Sequence, residues 1–429
     1  MLPDSYSGAL KLRTSLDTAY NFLPAGLPAG KFFCGEASAT AEIKTARRSA
    51  RQIHRRKLYS RNRCSKIEAQ KQTGRILRKL EYLSRRAANL TPYTAGEQPK
   101  DKKYVKLNTN ENPYPPSPKI RPAVLSALPG LPLYPDPEAQ DLCAAIAEAE
   151  HVGADCVFCG NGSDEVLSFA FCAFFDGDLP LLFPDITYSF YPVFAEFYGI
   201  PVKTVPLDRN FEIDVKGYFQ PACGVVFPNP NAPTGICLPP QKIRRLLEYH
   251  AGRAVIIDEA YIAFGGESVV GLVGRYPNLL VVRTFSKSHS LAGGRVGYAI
   301  GQPPLIRGLL RVKNSFNSYP VDRIAAAAAR AAALDTGYYA KIDAKIAETR
   351  EKFSAELKKR GFQVLPSKAN FVFASHAGFS AKALFLKLRE HGILVRYFDK
   401  PRTDRFLRIT IGTDAMMEKV LKAIDDILG

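Results

Sequence analysis

Residues 284–298 read TFSKSHSLAGGRVGY, with Lys287 near the centre. The run Leu279-Leu280-Val281-Val282 before it is wholly apolar and reads as a buried strand that delivers the lysine to its end. Thr284 and Ser286 precede the lysine, and Arg295 follows eight residues later beside Gly293 and Gly294. An amine so placed can form a Schiff base with a carbonyl compound. Hydroxyls and a guanidinium can hold a phosphate, and the glycines let the backbone come close. A cofactor with both an aldehyde and a phosphate is pyridoxal 5'-phosphate (PLP). The competing reading is a solvated lysine on a polar loop, and this stretch alone leaves both open.

Upstream, Ala254-Val255-Ile256-Ile257 reads as a strand ending in Asp258-Glu259-Ala260-Tyr261. An aspartate there sits at the carboxyl edge of a sheet, where α/β enzymes bind ligands. It can keep a pyridine nitrogen protonated and make the ring an electron sink. Gly224–Phe227 is a strand that runs into Asn229-Pro230-Asn231-Ala232-Pro233-Thr234-Gly235. Leu181–Phe183 is another, ending near Tyr188, an aromatic that either stacks on a flat ring or packs in the core. Residues 156–159 form a short apolar strand, followed by Gly162, Ser163 and Asp164 and an apolar helix from Val166 to Phe174. Free N–H groups at that helix start suit a phosphate. A plain turn capped by Ser163 or Asp164 is the alternative. Strands alternating with helices over 155–300 predict an α/β fold with a mostly parallel sheet flanked by helices. Cys156 and Cys159 have CxxC spacing, but with no second pair and no His at ligand spacing they read as buried thiols, and no metal is expected.

Beyond residue 301 the pattern becomes that of a smaller α+β domain. Helices are expected over 325–334, 337–361, 381–391 and from Asp414, with strands over 369–374, 393–397 and 406–411. Before the sheet, KLNTNENPYPPSP (106–118) is an irregular segment whose asparagines, by themselves, read as turn residues. Four regions follow: a basic extension over 1–74, an arm with part of the small domain over 75–130, the large domain over 131–305, and the small domain with its linking helix over 306–429.

The 429 residues carry a net charge of +18, which raises the question of nucleic acid. Residues 1–74 hold 14 Lys/Arg against 5 Asp/Glu, so half of the excess lies outside the body of the chain. That extension lacks the apolar pattern of a helix–turn–helix, which disfavours a DNA-binding regulator. It reads as a basic tail, an organelle-targeting peptide, or a start placed too far upstream, the last being preferred, with disorder or poorly packed helix expected. A short amphipathic helix is expected over Ile76–Ala88. No apolar run is long enough to cross a membrane. Eight cysteines without a disulfide framework point to a reduced, cytoplasmic setting.

Taken together and in this order, these landmarks resemble the fold-type I PLP-dependent aminotransferases, and within them the histidinol-phosphate branch, from about residue 76 to the end. The resemblance implies that Lys287 carries the cofactor, that Asp258 pairs with its pyridine nitrogen and that Tyr261 bonds the ring hydroxyl. It assigns Tyr188 to stacking and Gly162, Ser163, Asp164, Ser286 and Arg295 to the phosphate cradle. Tyr134 matches a tyrosine that reaches the neighbouring subunit's phosphate, which implies a homodimer with shared sites. Arg408 in FLRITIG, Arg396 in ILVRYF, Tyr93 in LTPYTAGEQP and Asn112 in NENP are assigned to substrate. One departure stands out: many relatives have Asn directly before Pro-Thr-Gly, where this chain has Ala232, so Asn231 is the candidate for the ring hydroxyl. The implied reaction moves an amino group between L-histidinol phosphate and 2-oxoglutarate. An aromatic aminotransferase and a phospho-amino-acid decarboxylase share the same machinery.

Overall fold

The short apolar runs of the sequence become strands buried on both faces. The computed structural model describes residues 82–429; the basic extension and the first part of the helix expected over Ile76–Ala88 lie outside the described residues. Ser84–Gly429 form one unit with three sheets. The first is a parallel pair of β1 (Val105–Lys106) and a late strand described below. The second holds β2 (Val157–Gly160), β3 (Leu181–Pro184), β4 (Val202–Val205), β5 (Gly224–Pro228), β6 (Val255–Asp258), β7 (Leu279–Thr284) and β8 (Gly297–Gly301) in the order β2-β8-β7-β6-β5-β3-β4. Only β8 runs against the others.

Alternate residues of each central strand feed opposite cores, as the two-residue period requires. Leu182, Val225, Ile257 and Val281 face one core, with the helices Gln140–Glu150, Pro240–Tyr249 and Arg323–Ala333. Leu181, Val226, Ile256 and Leu280 face the other, with Ser163–Phe174, Phe190–Tyr198 and Pro303–Phe316. Covered on both faces, these strands have no polar alternation, which is why they read as continuous apolar runs. β4 is the exception: its first three residues are exposed at the sheet edge, so no continuous apolar run marks it in the sequence. The helices Pro303–Phe316 and Arg323–Ala333 pack on this large sheet although they follow residue 301.

The third sheet is antiparallel. It consists of β9 (Phe362–Val364), β10 (Phe371–His376), β12 (Arg396–Tyr397) and β13 (Leu407–Thr410), in the order β12-β13-β10-β9. The strand expected over 393–397 divides: β11 (Ile393–Leu394) pairs with β1, and β12 pairs with β13. Tyr261 and Phe264, from the loop after β6, pack into the same core as Phe371 and Leu407. The ends of the large sheet's strands are thereby set against the small sheet. No helix of the described residues is long and apolar enough to cross a membrane.

Candidate functional site

The carboxyl ends of β2, β3, β5, β6 and β7 lie along one edge, and loops from that edge meet residues of the small sheet around a cavity of about 170 Å³. Its lining includes Lys287, Asp258, Tyr261, Ser163, Asp164, Tyr188, Ser286, Arg295, Tyr93, Arg396 and Arg408. Residues spread over more than 300 positions are thus brought to one place.

Lys287 lies just past β7 and donates from Nζ to the Thr109 carbonyl at 3.0 Å. Burial, and next the Arg408 cation, push its amine down to about 8. Asp258 ends β6, is 4% exposed, and accepts from Tyr191 Oη and the Ala260 N–H, both at 3.1 Å. These neutral donors do not offset desolvation, which pushes the carboxyl up to about 7. Tyr261 is buried beside it, and burial raises its phenol.

The helix Ser163–Phe174 starts at Gly162, whose φ of 82° turns the chain out of β2. No side chain caps this end, which removes the alternative of a plain turn capped by Ser163 or Asp164. The first N–H groups of the helix stay open toward the cavity. Arg295 donates to Ser286 Oγ at 3.3 Å and faces Asp164 at 3.6 Å. Tyr188 donates to Asp164 Oδ1 at 2.7 Å. The Asp164 carboxylate is therefore engaged in orienting neighbours, and its main-chain N–H is the part that suits an anion.

Arg396 and Arg408 sit directly opposite each other on β12 and β13. Arg408 donates to the Asn108 carbonyl at 3.0 Å and lies between the Phe371 and Phe398 rings, at 5.4 and 5.6 Å from their centroids. Burial lowers its guanidinium from the usual value. Like charges paired across strands repel, so the arrangement favours an anion between or beside them. Tyr93 closes this side, its ring stacked on Phe190 at 4.3 Å.

Two expected site residues, Asn231 and Asn112, are placed otherwise, and Tyr134, expected to serve a neighbouring subunit, lies outside this chain's own cavity. Asn231 is buried and donates to the Ile186 carbonyl and Thr234 Oγ1, at 3.0 and 3.2 Å; Ala232, not Asn231, lines the cavity. Asn112 spends its amide on the carbonyls of Lys287 and Ser288, at 3.1 and 3.0 Å, so it clips the lysine loop and does not line the cavity. Tyr134 is 79% exposed and stacks on Tyr319, away from this chain's own cavity. Asn110 and Tyr191, which bond Tyr261 and Asp258, carry no local sequence signal, since one lies among turn-type asparagines and the other on an apolar helix.

Of the CxxC pair, Cys159 meets Cys143 at 3.5 Å between sulfurs rather than Cys156, and the described cysteines are free thiols. Larger cavities of about 450 Å³ exist. One lies behind the lysine loop and contains Arg283, which is already paired with Glu150 and Glu259. The other holds Lys400 but no arginine, and neither gathers an amine, a buried carboxylate and an arginine, so chemistry rather than size selects the smaller cavity.

Residues 102–424 match the family model for class I and II aminotransferases. A histidinol-phosphate aminotransferase of Acinetobacter baumannii is 52% identical over 354 residues, covering 81% of this chain and 98% of that one. Histidinol-phosphate aminotransferase 2 of Rhizobium meliloti is 55% identical over 342 residues, covering 80% and 97%. The crystal structure of histidinol-phosphate aminotransferase from Sinorhizobium meliloti in complex with pyridoxal-5'-phosphate superposes with a TM-score of 0.74 at 25% identity, covering 81% of this chain and 98% of that one. An L-threonine-O-3-phosphate decarboxylase from Porphyromonas gingivalis, at 22% identity and a TM-score of 0.65, shares the fold. With an amine, a buried carboxylate and an anion cradle gathered at one sheet edge, and with these matches over most of its length, the chain belongs to the class I and II aminotransferase family.

Proposed function

We propose that this chain transfers the amino group between L-histidinol phosphate and 2-oxoglutarate, giving imidazole-acetol phosphate and L-glutamate, with PLP as cofactor. The carrying observation is that Arg396 and Arg408 are cross-strand neighbours facing the cavity of Lys287. Two guanidiniums suit a phosphate-bearing substrate. The relatives at 52–55% identity support this substrate over the aromatic and decarboxylase alternatives.

The residues present fit the cofactor. The open N–H groups of Ser163 and Asp164, the Ser286 hydroxyl and Arg295 would hold its phosphate. Gly162 leaves the room this needs, since a Cβ there would meet the Arg295 guanidinium. Asp258, bonded only by neutral donors, would hold a proton on the pyridine nitrogen, and the Tyr188 ring would pack on a flat face. When bound, PLP supplies an electron-poor ring that takes up the charge left as the substrate loses its α-proton. Lys287, with its amine near 8, keeps a share of free base at neutral pH. It can attack a carbonyl and, once released, carry the proton from the substrate α-carbon. Tyr261 would serve the ring hydroxyl alone, since Asn231 is turned away. Arg396, Arg408 and Tyr93 orient the substrate's phosphate and body. Asn112 holds the lysine loop in register.

The reading includes a homodimer in the cytoplasm, with Tyr134 of each subunit completing its neighbour's phosphate cradle. Single-turnover spectroscopy of the PLP-loaded protein tests the substrate. L-histidinol phosphate should deplete the near-visible cofactor band much faster than L-phenylalanine does. The reverse order would make this an aromatic aminotransferase.

A further inference from the structure

Asn110 belongs to the asparagine-rich run over 106–118, and nothing in that run singles it out. In the fold it is 1% exposed and left-handed, with φ 57°. Four hydrogen bonds hold it. Asn370 Nδ2 donates to its carbonyl at 3.0 Å. Its own N–H donates to Thr410 Oγ1 at 3.1 Å, and the Thr410 hydroxyl donates back to Asn110 Oδ1 at 3.0 Å. Asn110 Nδ2 donates to Tyr261 Oη at 3.0 Å.

The direction of this chain follows from counting protons. Thr410 Oγ1 already receives the Asn110 N–H, so its single proton needs an acceptor. Among the described residues the acceptor is Asn110 Oδ1. Turning the amide over would present Nδ2 to Thr410 and leave that buried proton without an acceptor. With Oδ1 engaged, Nδ2 faces Tyr261 and can only donate. Tyr261 must then accept, and its own proton is directed elsewhere. Tyr261 and Asn110 both line the cavity of Lys287. The neighbouring turn adds no side-chain donor there: Ala232 has none, and Asn231 donates to the Ile186 carbonyl and the Thr234 hydroxyl.

We infer that Asn110 is a positioning residue: by donating to Tyr261 it keeps the phenol proton on the cavity side, aimed at an anionic oxygen on the cofactor ring. Thr410 is the second member of this relay, since it decides which way the Asn110 amide points. Burial keeps the phenol protonated and therefore able to donate. The inference rests on the cofactor reading above.

The test is a pH titration of the near-visible absorbance of the PLP-loaded protein, comparing wild type, N110L, T410V, Y261F and N110L/Y261F. A donor to the ring's anionic oxygen stabilises the deprotonated form of the lysine–cofactor linkage and lowers its midpoint. Y261F should raise the midpoint by about 1 pH unit, a tenfold change in proton affinity. N110L and T410V should raise it by roughly half as much. N110L should add nothing in the Y261F background, because Asn110 acts only through the phenol. The inference is overturned by unmoved midpoints in N110L and T410V, or by an N110L shift that persists undiminished beside Y261F. If N110L does not fold, the nearly isosteric T410V decides. A wild-type chain that shows no such band with PLP overturns the cofactor reading and this inference with it. A wild-type band with unmoved variants overturns this inference alone.

Discussion

Asp258 shows what a single buried group costs before its partner arrives. Its carboxyl ionises near 7 in the folded protein, against 3.8 for the ordinary group. Between those values the folded chain holds a proton that the unfolded chain has released. The stability linked to Asp258 is fully present below about 4 and is lost as pH rises to about 7, by at most about 4 kcal/mol. Cofactor-free wild type should therefore lose melting temperature from pH 5 to pH 8, and Asp258→Asn should flatten that slope. Equal slopes in thermal unfolding would refute the assignment. At Arg396 the geometry matters as much as the charge. Arg396→Lys replaces a planar fork with a point charge, so KM for imidazole-acetol phosphate should rise about 10- to 100-fold, with less effect on phenylpyruvate. Steady-state kinetics with both substrates reads this directly.

At the scale of elements, β7 does two things. Its end carries Lys287, and Arg283 within it ties the sheet to its surroundings. Arg283 bonds Glu150 of the helix Gln140–Glu150 at 2.6 Å and Glu259, just past β6, at 2.8 Å. Tyr298 of β8 donates to the same Glu150 oxygen at 2.9 Å. The Glu259 side chain is fully buried, so removing Arg283 strands a carboxylate in the interior. Arg283→Met should destabilise the fold by roughly 3–5 kcal/mol in urea unfolding. A loss below about 1 kcal/mol would mean that the network is solvated and contributes little. The arginine shows in the sequence only as a charge interrupting an apolar run; its two partners, 133 and 24 residues away, do not.

At the scale of the whole molecule, Tyr134 is the residue that one chain leaves without a role. It is exposed and stacked on Tyr319, outside its own cavity. In the proposed dimer it completes the other subunit's site. Lys287→Ala and Tyr134→Ala proteins should then each be weak alone. Mixed and reassembled, they should recover about a quarter of wild-type activity, because half the dimers are mixed and one of their two sites is intact. Mixtures no more active than their parents would place Tyr134 outside the site.

The sequence by itself determined the α/β class, the strand ends that carry Asp258, Tyr188 and Lys287, and the helix start at Ser163. Each of these is a local matter: a short apolar run bounded by turn residues can do little but form a buried strand, and its polar terminus then falls at a sheet edge. Only the tertiary structure decided which asparagine does what. Asn110, Asn112 and Asn231 look alike along the chain, yet one orients Tyr261, one clips the lysine loop and one closes its own turn. It likewise decided that 393–397 divides between two sheets, bringing Arg396 opposite Arg408. An amide's role is set by the acceptors it meets, and those come from residues up to 300 positions away, which no local pattern encodes.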